Sequence, residues 1–208
     1  MGSEMCIRDR LPADTIGREL SEEWMTYPPI ALGRYIRCSR DLLGRFKDEM
    51  ENRICVVVSH ANVKLLNVST SLFGDEVFNA FPNASDDIAE AGACLAFSRG
   101  TACVMHLMRA AEVSLAALAK ALGVKRQNDW GSYLREIGKE LQKRAITSGA
   151  RSPDEQFYAE AAAGFEHLKR AWRNPTMHVD RTYSPERATE IFDAVRSFMR
   201  HLATRLSE

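Results

Sequence analysis

The sequence predicts an all-α fold, an antiparallel helical bundle with an N-terminal helical extension. Apolar residues recur at 3/4 spacing over most of the chain. The breaks between these stretches are short, and short connections favour antiparallel neighbours. The one stretch with strand character is residues 54–58, Ile-Cys-Val-Val-Val, which is short and β-branched. The 208 residues, 45% of them hydrophobic, can build a real core and fit one domain with an extra N-terminal region.

Residues 1–10 fit no fold pattern and read as a non-native leader, and no secretory leader is expected. The extension is expected to cover residues 11–82. Residues 13–25 predict a short helix that ends before Tyr27-Pro28-Pro29. Over residues 31–53, Leu32, Tyr35, Ile36, Leu42, Leu43, Phe46 and Met50 recur at helical spacing, and charges fill the other face. Residues 54–58 are then either one strand of a small hairpin, with 65–68 as partner, or an extended packing segment. A short helix over 74–81 closes at Pro82.

The main helical domain is expected over residues 83–208. Asn83 or Ser85 is placed to cap its first helix, with Asp86 and Asp87 at the positive end of the dipole. Gly100 breaks that helix near Ser98. The longest apolar helix follows, over 101–122, with Val104, Leu107, Met108, Ala111, Leu115, Leu118 and Leu122 as its core stripe. Gly123 stops it as a C′ residue. Asp129 caps a helix carrying Trp130, Tyr133, Leu134, Ile137 and Leu141. A polar loop over 147–152 leads to Pro153, which opens a helix buried along Phe157, Ala161, Phe165, Leu168 and Trp172. Ser184-Pro185-Glu186 starts the last helix, with Ala188, Ile191, Val195, Phe198 and Leu202 facing inward.

Chemistry concentrates where the Pro153 helix runs out, in Trp172-Arg173-Asn174-Pro175-Thr176-Met177-His178. Pro175 has no N–H to give and pushes Asn174 away from helical geometry, so the helix is expected to end at Arg173 or Asn174. Residues 175–178 then form a bend, or a kinked extra turn, that can bring His178 back toward Arg173. A guanidinium offers a planar fork of donors to phosphate oxygens. A histidine gives or takes a proton near neutral pH. The bland alternative is a cation and a histidine at a helix C-terminus, satisfying the last carbonyls.

Arg173, Asn174 and His178, lying between two amphipathic helices, resemble the signature of the HEPN superfamily. That pattern is an arginine, a polar residue directly after it, and a histidine beyond four to six intervening residues. The resemblance spans roughly residues 85–206 and implies a small helical domain, in many members a metal-independent endoribonuclease of bacterial defence and toxin–antitoxin systems. It implies Arg173 clamping the phosphate, His178 as general base or general acid, and Asn174 orienting either one. The products would be a 2′,3′-cyclic phosphate and a 5′-hydroxyl. It further implies a cytoplasmic homodimer with a composite active site, an RNA substrate and an antitoxin or other regulatory partner. Many such domains keep the fold and serve instead as non-catalytic dimeric binding or regulatory modules.

Glu112 is the odd residue on the long apolar helix. A carboxylate beside Met105, Ala116 and Ala119 wants a cation, because its unpaired burial is expensive. Arg109, three residues away, is one candidate partner. The resemblance favours the other, Arg173, which Glu112 would support from behind. His106 is placed on the opposite side of this helix and reads as a structural or surface histidine.

Other chemistries lack their patterns. There is no G-x-x-x-x-G-K-[ST], G-x-G-x-x-G, G-x-S-x-G or H-E-x-x-H, and no pair of E-x-x-H motifs. Cys6, Cys38, Cys55, Cys94 and Cys103 form no C-x-x-C pair, so buried thiols in a reducing compartment are expected, with no metal and no cofactor. The formal net charge is zero, so any nucleic-acid contact must be local rather than a global basic field. No run of residues approaches the ~18 apolar positions that a membrane span needs, so none is expected to span one.

Overall fold

The computed structural model of the chain describes residues 32–51, 53–54, 56–66, 71–148, 152–178 and 181–208. These residues are helical in the main, and no strand occurs among them. The chain divides into two compact units, Met1–Val57 and Val58–Glu208.

In the first unit the described helix is α1, Leu32–Met50. Its 3.6-residue periodicity makes it helical, yet much of its stripe is open: Tyr35, Ile36, Leu43 and Phe46 are all exposed. The expected leader over 1–10 and helix over 13–25 lie outside the described residues. Among the described residues of 54–58 the expected strand does not form. Ile54 and Val57 are 95% and 96% exposed, and Leu65 and Leu66 sit in a 3-10 turn instead of a partner strand. A β-branched run gains little from extension when no neighbouring edge takes its hydrogen bonds.

The second unit opens with α2, His60–Val63, and the 3-10 turn Lys64–Leu66. Next come α3, Asp75–Ala80, the 3-10 turn Pro82–Ala84 and α4, Ser85–Ala96. The long α5 spans Gly100–Ala121, α6 spans Trp130–Ser148 and α7 spans Pro153–Leu168. A π turn, Lys169–Arg173, joins α7 to α8, Asn174–Met177, and α9 covers Pro185–Ala203. The expected domain boundary before Asn83 falls inside this unit, because Phe73, Val77 and Phe81 belong to its core.

The centre is α5, which packs against α4, α6, α7, the π turn, α8 and α9. Its expected stripe is buried throughout. Contrary to expectation, α5 is long and apolar enough to span a bilayer. Most of it is buried among the other helices of this unit, the environment of a core helix.

Local chemistry sets most helix ends. The Ser152 hydroxyl accepts from the Glu155 amide and the Glu155 carboxylate accepts from the Ser152 amide, a complete capping box before Pro153. Asp129 accepts from the Ser132 amide at 2.9 Å to start α6, and Ser184 accepts from the Arg187 amide at 3.3 Å to start α9. Gly123, with φ of 76°, ends α5 as expected. Neither Asn83 nor Ser85 caps α4. Asn83 bonds to the Glu208 carboxylate through its backbone and side-chain N–H groups, and Ser85 lies inside the helix behind a 3-10 turn.

Candidate active site

The motif helix does not stop before Pro175. It widens by one residue, and the Asn174 amide donates to the carbonyl of Lys169, five residues back. A proline ring collides with the carbonyl four residues earlier and supplies no N–H, so a regular α-turn through Pro175 is costly. The π turn over Lys169–Arg173 absorbs this conflict, and α8 continues to Met177. Of the two expected geometries, the kinked extra turn is therefore the one adopted. The backbone becomes extended at His178, with φ −100° and ψ 137°.

Uncharged contacts hold this turn against the N-terminus of α5. The buried Thr176 hydroxyl donates to the Trp172 carbonyl at 2.5 Å and lies 3.3 Å from the Tyr183 phenol oxygen. The Tyr183 amide donates to the Thr101 hydroxyl at 2.9 Å. Gly100 makes the approach feasible: a Cβ there would sit 2.3 Å from the Tyr183 carbonyl oxygen. Thr101, Thr176 and Tyr183 were not singled out by sequence. A Thr four residues after a carbonyl is a common back-bonding arrangement, and only the return of the chain at Tyr183 gives it a second role.

The three motif residues end up on one short segment. Arg173 and Asn174 are half-buried and His178 is exposed. None of their side chains has a hydrogen-bond or ion-pair partner among the described residues. Glu166, about two turns upstream, is engaged by Lys169 at 3.9 Å and Arg170 at 3.5 Å, and no carboxylate pairs with the Arg173 guanidinium among the described residues. A guanidinium with unused donors beside an accessible imidazole can take a phosphate group from outside the chain.

Glu112 forms an ion pair with neither expected arginine among the described residues, and its charge contributes only weakly at Arg109. Its carboxylate accepts from the indole N–H of Trp130 at 2.8 Å. Trp130 is buried and meets Phe165 edge-on at 5.9 Å, so Glu112 satisfies a polar atom in the core's aromatic seam. Arg109 turns instead to Asp87 at 2.8 Å. No hydrogen bond or ion pair joins Glu112 to Arg173 among the described residues.

A second polar cluster lies between α4 and α5. His106 shares a 2.8 Å hydrogen bond between its Nδ1 and Asp87 Oδ1, which Arg109 also engages. Burial works against the Asp87 carboxylate, but the bonds from Arg109 and His106 outweigh it and hold its carboxyl below the ordinary value. Beside this group, ligand atoms of Glu90, Cys94 and His106 come within 4.8 Å of one another. Burial and the Glu90 carboxylate push the Cys94 thiol up, and burial foremost pushes the Cys103 thiol up to about 12. Cys38, Cys94 and Cys103 are all unpaired thiols.

Comparison of the chain with protein-family models, with curated protein sequences and with solved structures gives no match.

Proposed function

We propose that the chain is a metal-independent endoribonuclease of the HEPN type, with Arg173, Asn174 and His178 as its catalytic residues. The observation that carries this reading is a set of motif side chains with no partner among the described residues, on a backbone that is itself tied down by Thr176 and Tyr183. Arg173 binds the scissile phosphate and stabilises charge that develops in the transition state. His178 takes the proton from the ribose 2′-OH, or gives one to the departing 5′-oxygen. Asn174 orients the phosphate or the imidazole. Cyclisation needs both proton transfers and one motif supplies one histidine. A homodimer with two motifs facing across a two-fold axis completes the set. The setting is a reducing cytoplasm, with an antitoxin or other regulator restraining the enzyme.

The zero net charge favours a second reading, a non-catalytic dimeric module that binds RNA, a nucleotide or a protein through the same surface. Incubation of structured and single-stranded RNA with wild type, Arg173→Ala and His178→Ala separates the two. Cleavage confined to the wild type supports the enzyme. Binding without cleavage by a folded wild-type dimer supports the module.

A further inference from the structure

We propose that Glu90, Cys94 and His106 form a binding site for one zinc-like divalent cation that ties α4 to α5. This site is separate from the motif and does not rest on the ribonuclease reading.

The geometry comes from two helices. Glu90 and Cys94 are four residues apart on α4 and share a face. His106 reaches them from the first half of α5. The three ligand atoms lie within 4.8 Å of one another. Tetrahedral zinc with bonds of about 2.0–2.3 Å asks for ligand separations of roughly 3.3–3.8 Å, so binding draws the three side chains somewhat closer together. The Glu90 carboxylate and the Cys94 thiol have no hydrogen-bond or ion-pair partner among the described residues, so a cation would displace no such bond of theirs there.

The histidine is already prepared. Its Nδ1 is bonded to Asp87 Oδ1 at 2.8 Å, which leaves Nε2 with its lone pair for a metal. Asp87 is itself fixed by Arg109 at 2.8 Å. A carboxylate behind an imidazole in this way sets the tautomer and raises the basicity of the free nitrogen. One thiolate, one imidazole and one carboxylate suit zinc better than magnesium or calcium, which prefer all-oxygen shells. The exposed position of Glu90 leaves an entry path and a fourth place for water. On binding, the Cys94 S–H bond breaks, a sulfur–zinc bond forms and the proton passes to solvent, with no electron transferred.

The test uses the full chain, reduced with a phosphine and stripped with chelator, then titrated with Zn²⁺ against a chromogenic competitor and with Co²⁺ by absorption. The expected result is one equivalent bound, with a thiolate-to-cobalt charge-transfer band and the intense visible bands of tetrahedral cobalt. Cys94→Ser removes the charge-transfer band while Cys38→Ser and Cys103→Ala keep it. Asp87→Asn weakens zinc by about 10–100-fold, the usual cost of losing such a backing group. Should Cys94→Ser lose its far-UV circular dichroism, Glu90→Gln and His106→Gln decide the matter in the same titration, each weakening zinc at least tenfold. A spectrum that stays that of aqueous cobalt overturns the proposal. So does a thiolate band that survives Cys94→Ser in folded protein, or zinc affinity unchanged in Glu90→Gln and His106→Gln.

Discussion

The turn at Arg173–His178 and the α4–α5 face at Asp87–Arg109 both gather charged and titratable side chains, but they treat them in opposite ways. At the turn, the backbone is fixed by the uncharged contacts of Gly100, Thr101, Thr176 and Tyr183, while the three chemically capable side chains have no partner among the described residues. On the α4–α5 face the ion pairing is internal, with Asp87 taking both His106 and Arg109. A scaffold that leaves donors unused can offer them to a ligand, and one that satisfies them orients neighbours. The first arrangement is suited to binding and transforming a phosphate. The second is suited to presenting a prepared imidazole.

That contrast predicts which substitutions damage activity and which damage the fold. The largest effect belongs to the motif. His178→Ala lowers RNA cleavage by about 10²–10⁴-fold and Arg173→Ala by about 10²–10³-fold. Both keep the wild-type melting temperature, because neither side chain is bonded to another of the described residues. A matching drop in Tm would show that the turn depends on them structurally and would break the comparison.

Gly100→Ala comes next, and its effect is on the fold. Its Cβ collides with backbone rather than with a flexible side chain, so either α5 or the Tyr183 segment must move. The expected loss is about 1–3 kcal/mol by denaturant unfolding, with cleavage reduced because the turn shifts. Unchanged stability would mean that the Tyr183 segment yields freely.

Glu112 separates the two jobs more finely. Glu112→Leu leaves the buried Trp130 N–H without an acceptor and costs about 1–3 kcal/mol. Glu112→Gln keeps an acceptor, so both stability and cleavage stay near wild type. Cleavage that falls in Glu112→Gln at unchanged stability would restore the role of supporting Arg173.

The smallest expected effect is at the satisfied face. Asp87→Asn lowers Tm by about 2–4 °C, since its partners are half-buried or exposed. Zinc is expected to raise the Tm of the wild type more than that of this variant.

What was legible in the sequence followed from local physics. The stripe of α5, the Pro153 and Ser184 helix starts and the Gly123 stop all depend on residues within a turn or two of one another. The Arg173–His178 motif could be found for the same reason, as its members are neighbours in the chain. The failures were relational. Residues 54–58 carry β-branched side chains, but no strand edge lies among the described residues to pair with them, and that is not written in the segment itself. The kinked turn after Asn174 was one of two expected geometries, and the choice between them rests on a π turn that reconciles the proline with the packing of Trp172 against the rest of the unit. Glu112 was matched to cations nearby in sequence or by resemblance. Its partner is an indole on the next helix, which only the packing of α6 on α5 brings within reach. The Glu90–Cys94–His106 group escaped because one ligand comes from a different helix. Its only local trace is the four-residue spacing of Glu90 and Cys94.

The central claim is that the motif cleaves RNA by internal attack of the 2′-OH. Its most direct test is the end chemistry of RNA cut by wild type in excess EDTA. The account predicts fragments with 2′,3′-cyclic phosphate and 5′-hydroxyl ends, with none in the His178→Ala reaction. Fragments with 5′-phosphate ends, or equal cleavage by His178→Ala, would contradict it.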